Sequence, residues 1–140
     1  MAGAYWEHFA HDADVGVRGI GPTREAAFEQ GGLALMHAIG NPSRVEPREM
    51  VEIACEAPDD ALLFVDWLNA LVFEVATRGM LFARFEVQID DHRLVGRAWG
   101  EPIDPARDDL AVEVKGATYT GLAVRSDPER GWVAQCVVDV

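Results

Sequence analysis

A chain of 140 residues is long enough for one domain that buries roughly 68 % of the surface its unfolded form exposes. With 49 % apolar and 26 % charged residues the composition is that of an ordinary globular protein, which excludes the disordered and fibrous classes. The 24 Asp and Glu outweigh the 12 Lys and Arg, a formal net charge of −12, and the basic residues are scattered, so strong direct binding to nucleic-acid phosphates is not expected.

No repeat or Gly/Ser linker divides the sequence, and residues 1–140 read as a single domain. The segment VGVRGIG at 15–21 alternates as a short strand and ends at Gly21–Pro22. Thr23 then offers an N-cap, and the apolar spacing of Ala26, Ala27, Leu33, Ala34, Leu35 and Ile39 predicts a helix over 23–39, stopped by Gly40, Asn41 and Pro42. MVEIACEA at 50–57 places Val51, Ile53 and Cys55 on one face and Glu52 and Glu56 on the other, a half-buried strand.

A second helix is predicted from Pro58 and Asp59 to Arg78, with Gly79 as its C-terminal stop. At about 100° per residue, its Asp66, Asn69, Glu74 and Thr77 fall within an arc of roughly 140°. So wide an apolar remainder makes this helix largely buried, with Trp67 as a core anchor. Strand patterns then follow at 81–90, 93–101, 110–127 and 132–140, with an acidic loop at 102–109 and a turn at DPERG. Serial strands joined by short turns imply antiparallel pairing. The expected fold is α+β: two helices, the second largely buried, packed on a mostly antiparallel β-sheet.

The longest apolar run, residues 61–76, is interrupted by Asp66, Asn69 and Glu74 and is no membrane span. The N-terminus lacks a secretory pattern, and Cys55 and Cys136 lack metal or redox spacing, so a cytoplasmic location with two structural thiols is expected. Ser43 and Ser126 have no nucleophile context, the four histidines have no zinc spacing, and no phosphate-binding glycine loop is present.

The acidic motif HDADVG at 11–16 is the main chemical candidate. If the segment is extended, Asp12 and Asp14 share one face and His11 and Ala13 the other. A calcium loop of the EF-hand kind is excluded, because Val15 and Gly16 follow and Thr23 stands where a glutamate is needed. The motif by itself reads first as a solvated acidic turn or a helix-capping element, and a metal would need ligands from elsewhere in the chain. Further ligands for a cation would come from Asp90 and Asp91, from Asp104, Asp108 and Asp109, or from Asp139, which ends the apolar strand VAQCVVD. If the chain naturally ends at Val140, its α-carboxylate adds hard oxygens there, and oxygen donors select calcium or magnesium.

Five segments together carry a resemblance: WEHFAHDADVGVRGIG at 6–21, TREAAFE at 23–29, LLFVDWLNALVFE at 62–74, EVKGATY at 113–119 and VVDV at 137–140. In this order they resemble the archease family, over residues 6–140. The resemblance implies an accessory protein without an enzymatic reaction of its own. Its implied partner is the GTP-dependent tRNA-splicing RNA ligase, whose guanylylation and turnover it promotes; a tRNA cytosine methyltransferase is a further implied partner. It also implies a divalent cation, Ca2+ or else Mg2+, held by Asp14, Asp139 and Val140.

Lys115 matches a family lysine, which would reach a phosphate or an acidic residue of the ligase, or else is an exposed strand lysine. Asp12 replaces the usual threonine and adds a carboxylate, Thr120 replaces a frequent histidine, and His11 has no assigned role. A competing expectation is a metal-dependent hydrolase of RNA ends, with Asp14, Asp139 and His11 activating water.

Overall fold

The computed structural model of the chain describes residues 3–140. Two antiparallel sheets and two long helices form the α+β architecture. The elements in chain order are β1 (Tyr5–His11), β2 (Asp14–Gly21), α1 (Arg24–Ile39), β3 (Glu49–Glu56), α2 (Asp60–Arg78), β4 (Met80–Asp90), β5 (Arg93–Pro102), α3 (Pro105–Asp108), β6 (Gly116–Ala117), β7 (Ala123–Asp127) and β8 (Gly131–Asp139). The larger sheet runs β1-β2-β8-β6, with β7 also paired to β8, and the smaller runs β3-β5-β4.

The helix ends follow the residues that mark them in the sequence. Thr23 accepts the N–H of Ala26 at 3.0 Å, and Asp59 accepts the N–H of Leu62 at 2.8 Å, each satisfying a donor that a helix start leaves open. Gly79 closes α2 in the left-handed region, φ 62°, where a side chain would be strained. No helix is long and apolar enough to cross a membrane among the described residues.

The burial of α2 is uneven. Its first half contributes Leu63, Phe64, Trp67, Leu68 and Leu71 to the core, whereas Val72 and Val75 are only half-buried and Phe73 is 62 % exposed. The helix closest to the centre is α1, which presses on the larger sheet and on the edge of β4, where the Glu29 carboxylate accepts the Val87 N–H at 2.8 Å. Burial pushes the Glu29 pKa up, and the Val87 bond opposes that rise. Phe28 and Phe64 meet edge to face at 5.1 Å, as do Trp67 and Phe85 at 5.8 Å, and so join the two helices and the smaller sheet.

The continuous strand expected over 110–127 is broken, because β8 pairs with two separate pieces, Gly116–Ala117 beside Val138 and Asp139 and Ala123–Asp127 beside residues 131–135. Between them the chain loops out: the Thr118 hydroxyl donates to Val137 O, Val137 N–H donates to Thr120 O, and Gly121 turns at φ 63°. The expected acidic loop at 102–109 contains the short helix α3. Its Asp108 is fully buried: Arg107 donates to the carboxylate at 2.6 and 2.9 Å, and Asp104 N–H donates at 2.9 Å.

The Arg107 guanidinium holds the Asp108 carboxyl below the usual carboxylate range, and burial opposes this. A depressed folded pKa contributes stability above the unfolded value that is lost as pH falls through the folded one. Asp108→Asn should therefore cost about 2 kcal/mol at neutral pH, and the gap to the parent should close in acid, as followed by urea unfolding at several pH values.

Both cysteines are free. Burial pushes the Cys55 thiol up to about 11 and the fully buried Cys136 thiol up to about 12. Neither should react with a thiolate-selective disulfide reagent in the native state at neutral pH, and both should titrate after denaturation.

Candidate functional site

The β1–β2 turn and the last residues of β8 meet at one end of the larger sheet. Strands β1 and β2 form a hairpin whose two-residue turn is Asp12 and Ala13, with Asp12 in the left-handed region at φ 51° and His11 paired to Asp14. Asp and Asn tolerate that region better than other side chains, which gives Asp12 a turn role. Its side chain is 92 % exposed and lies 3.8 Å from His11 Nδ1.

The turn corrects the expectation that Asp12 shares a face with Asp14. Alternation is interrupted at the hairpin, and cross-strand partners point to the same side, so His11 is the residue that shares the Asp14 face. Strand β8 then brings in the other end: Val15 pairs with Val138, and one further step of the register sets Asp139 opposite Asp14. Val140 N–H donates to Asp14 Oδ1 at 3.3 Å, a long bond that still places the last residue on the carboxylate.

On the far side, Gly116 pairs with Asp139, and Lys115 N–H donates to Asp139 O at 2.8 Å. Lys115 is the chain's only lysine. Of the twelve Lys and Arg, all but Lys115 and Arg44 lie within 4.0 Å of a carboxylate among the described residues. Its ammonium therefore stands exposed beside the acidic end of the sheet without a carboxylate partner there.

The structure thus gathers Asp14, Asp139, Val140, His11 and the Lys115 main chain, and sets Asp12 at the hairpin tip. The carboxylates of Asp90, Asp91, Asp104, Asp108 and Asp109 belong elsewhere: the first two sit at the β4–β5 turn, and Asp104 and Asp108 cap and pair within α3. Among the described residues no three side chains of His, Cys, Asp or Glu converge on one point. Asp14 and Asp139 supply only carboxylate oxygens, so completing a coordination shell falls to main-chain or terminal oxygens and water, a donor set suited to a hard cation.

The rows behind these residues are locked. Arg18 donates to Glu7 and Gln135, both at 2.8 Å, and lies 4.5 Å over the Phe9 ring, while Arg130 donates to the same Glu7 oxygen at 2.6 Å. The Arg130 bond, with Arg18 adding to it, holds the Glu7 carboxyl below its usual range against the effect of burial. Gln135 also donates to Gly121 O at 3.1 Å, and so fastens the loop that carries Tyr119 to β8. Gly16 gives the Phe9 ring its place, since a Cβ there would lie 2.3 Å from it.

Asn69 has a role that sequence reasoning missed. Its side-chain oxygen accepts the Ala117 N–H at 2.8 Å and docks the loop carrying Lys115 and Tyr119 onto α2. The available signal was a polar residue in an otherwise apolar stretch of helix. Tyr119 itself, 72 % exposed, stands over this junction beside Asp66 and Thr118.

The sequence pattern of the Archease protein family (MTH1598/TM1083) matches residues 6–140. The chain belongs to the archease family. It is 36 % identical over 139 residues to protein archease of Pyrococcus abyssi, covering 96 % of this chain and 98 % of that one. It is 38 % identical over 139 residues to protein archease of Methanopyrus kandleri, covering 96 % and 99 %. The solution structure of Methanobacterium thermoautotrophicum protein 1598 superposes with a TM-score of 0.84 at 30 % identity, covering 96 % of this chain and 98 % of that one.

The crystal structure of a Thermotoga maritima archease, described as a "possible chaperone", has a TM-score of 0.63 at 19 % identity over 96 % of each chain, a likeness of fold.

Proposed function

We propose that this archease is a cytoplasmic accessory activator of the GTP-dependent tRNA-splicing RNA ligase, promoting its guanylylation and turnover, and that it carries a hard divalent cation, Ca2+ in preference to Mg2+, between Asp14 and the Asp139–Val140 end. The reading is supported chiefly by the convergence at one sheet end of Asp14, Asp139 and Val140, which lie at opposite ends of the sequence. The cation, when bound, would supply a local positive centre in an acidic surface. Asp14 and Asp139 would hold it, and the Val140 N–H orients Asp14.

Electrostatics favours a protein target over naked RNA. Nearly every arginine is neutralised by a neighbouring acid, so the surface offers no basic stripe for a phosphate backbone, whereas a ligase surface built to hold RNA must be basic. Exposed Lys115 is the group placed to meet a phosphate or a carboxylate of the partner. The test is multiple-turnover RNA ligation by the cognate ligase with and without this protein: turnover is expected to rise with it, and equal turnover would sink the proposal. A chaperone-like effect on a tRNA cytosine methyltransferase, in line with the description of the Thermotoga relative, would instead change that enzyme's site selectivity and leave ligation untouched.

A further inference from the structure

Away from the acidic end, the exposed half of α2 and the irregular segment 110–114 enclose an apolar groove of about 500 Å3. Val72, Val75 and Ala76 form one wall, Leu110, Val112 and Val114 the other, and Ile39 and Ile103 line it as well. Isolated exposed apolar residues are ordinary on a protein surface, but here Leu110 and Val112 are 47 % and 39 % exposed on one wall, and Val72 and Val75 on the facing wall are only half-buried.

The second wall is open in its backbone too. Ala111 N–H donates to Ile39 O and Lys115 N–H to Asp139 O, but among the described residues neither the N–H nor the C=O of Val112, Glu113 or Val114 has a hydrogen-bond partner. Val112 and Glu113 are exposed while Val114 is buried, and unbonded main chain at the exposed pair beside an apolar groove matches the way an added strand is held, by main-chain bonds with alternate side chains in the groove. The charge around it is mainly acidic: Glu113 lines the groove, Asp109 and Asp104 flank the lining residues Leu110 and Ile103, Arg78 at the α2 end is already paired with Glu74, and Lys115, next to Val114, is the one cation beside it without a carboxylate partner among the described residues. Like charge on a second copy of this −12 chain opposes self-association through this face.

We propose that the groove between α2 and residues 110–114 is the docking site for an extended segment of a basic protein partner, which pairs along Val112 and Glu113 and places alternate apolar side chains against Val72, Val75 and Ile103 while its Lys or Arg residues meet Glu113 and Asp109. It rests on the accessory-protein reading but not on the cation. The groove would anchor the partner while the acidic sheet end faces its chemistry.

The test uses the full chain with three short acetylated peptides: alternating Leu and Lys, the same peptide N-methylated along one edge, and alternating Leu and Glu. Binding is followed by methyl and amide NMR. The Leu/Lys peptide is expected to shift the methyls of Val72, Val75, Ile103 and Val112 and to slow amide exchange at Val112 or Glu113. N-methylation or exchange of Lys for Glu should weaken it by roughly tenfold or more, and so should Val112→Asp or Ala76→Asp, both at exposed positions that line the groove.

Shifts centred elsewhere, equal binding of the N-methylated or Leu/Glu peptide, or full binding by both variants would overturn the proposal. So would groove methyls broadened by dimerisation in the absence of peptide. Calcium titration of Val112→Asp separates the two readings: it should bind calcium as the parent does. If peptide docking holds while ligation is never stimulated, the ligase assignment falls and the groove stands.

Discussion

Asp14→Ala is expected to abolish calcium binding in calorimetric titration, with an affinity loss on the order of 100-fold or more, while circular dichroism and the unfolding midpoint stay close to the parent. Asp14 is a half-buried residue at the end of β2, outside the core, so truncation opens no core cavity, and the side-chain bond it removes is the long one from Val140 N–H at 3.3 Å. Asp139→Ala should do the same, because among the described residues no third side-chain carboxylate converges there to compensate. His11→Ala distinguishes an oxygen site from an imidazole-assisted one: with oxygen donors alone it leaves calcium affinity unchanged. In ligation, Asp14→Ala should lose its stimulation of turnover together with calcium affinity. A variant that binds calcium like the parent would remove Asp14 from the site.

The largest effect on stability is expected at Trp67. The side chain is fully buried, its Nε1–H donates to Phe28 O at 3.0 Å, and its ring meets Phe85 edge to face. Gly96 of β5 is the floor beneath it, since a Cβ there would approach the ring to 2.4 Å. Trp67→Ala should cost about 3–5 kcal/mol through lost transfer energy and the cavity left behind. Trp67→Phe should cost less, keeping most of the contact and losing the hydrogen bond. Gly96→Ala, which overfills the same place, should cost about 1–3 kcal/mol. Denaturant unfolding of the three variants checks the order, and a loss below about 1 kcal/mol for Trp67→Ala would contradict a central role for this side chain.

Much of the local structure was legible because it depends on near neighbours in sequence. Thr23 and Asp59 announced their helices and Gly79 its stop, since a cap bonds residues three positions away. The alternation of Val51, Ile53 and Cys55 announced β3 in the same way. The stretch 110–127 misled because alternating apolar residues satisfy a strand pattern whether or not a partner is present; β8 runs out of positions to pair, and Gly121 lets the chain leave the ladder. For α2 the apolar arc was read correctly, but which part of it another element covers is not written in the helix. Its last turns face segment 110–114 across a groove instead of a packed neighbour.

By itself the sequence determined the α+β class, the boundaries of the two long helices and the acidic balance that turns the chain away from nucleic acid, which rest on composition or local spacing, and the family resemblance, which rests on five segments in a fixed order. Only the tertiary structure decided that Asp12 belongs to a turn, that His11 instead faces the same side as Asp14, and that Asp139 and Val140 arrive beside it. Cross-strand register joins residues more than a hundred positions apart through backbone hydrogen bonds between β2 and β8, and no local pattern records which strand a given strand will choose.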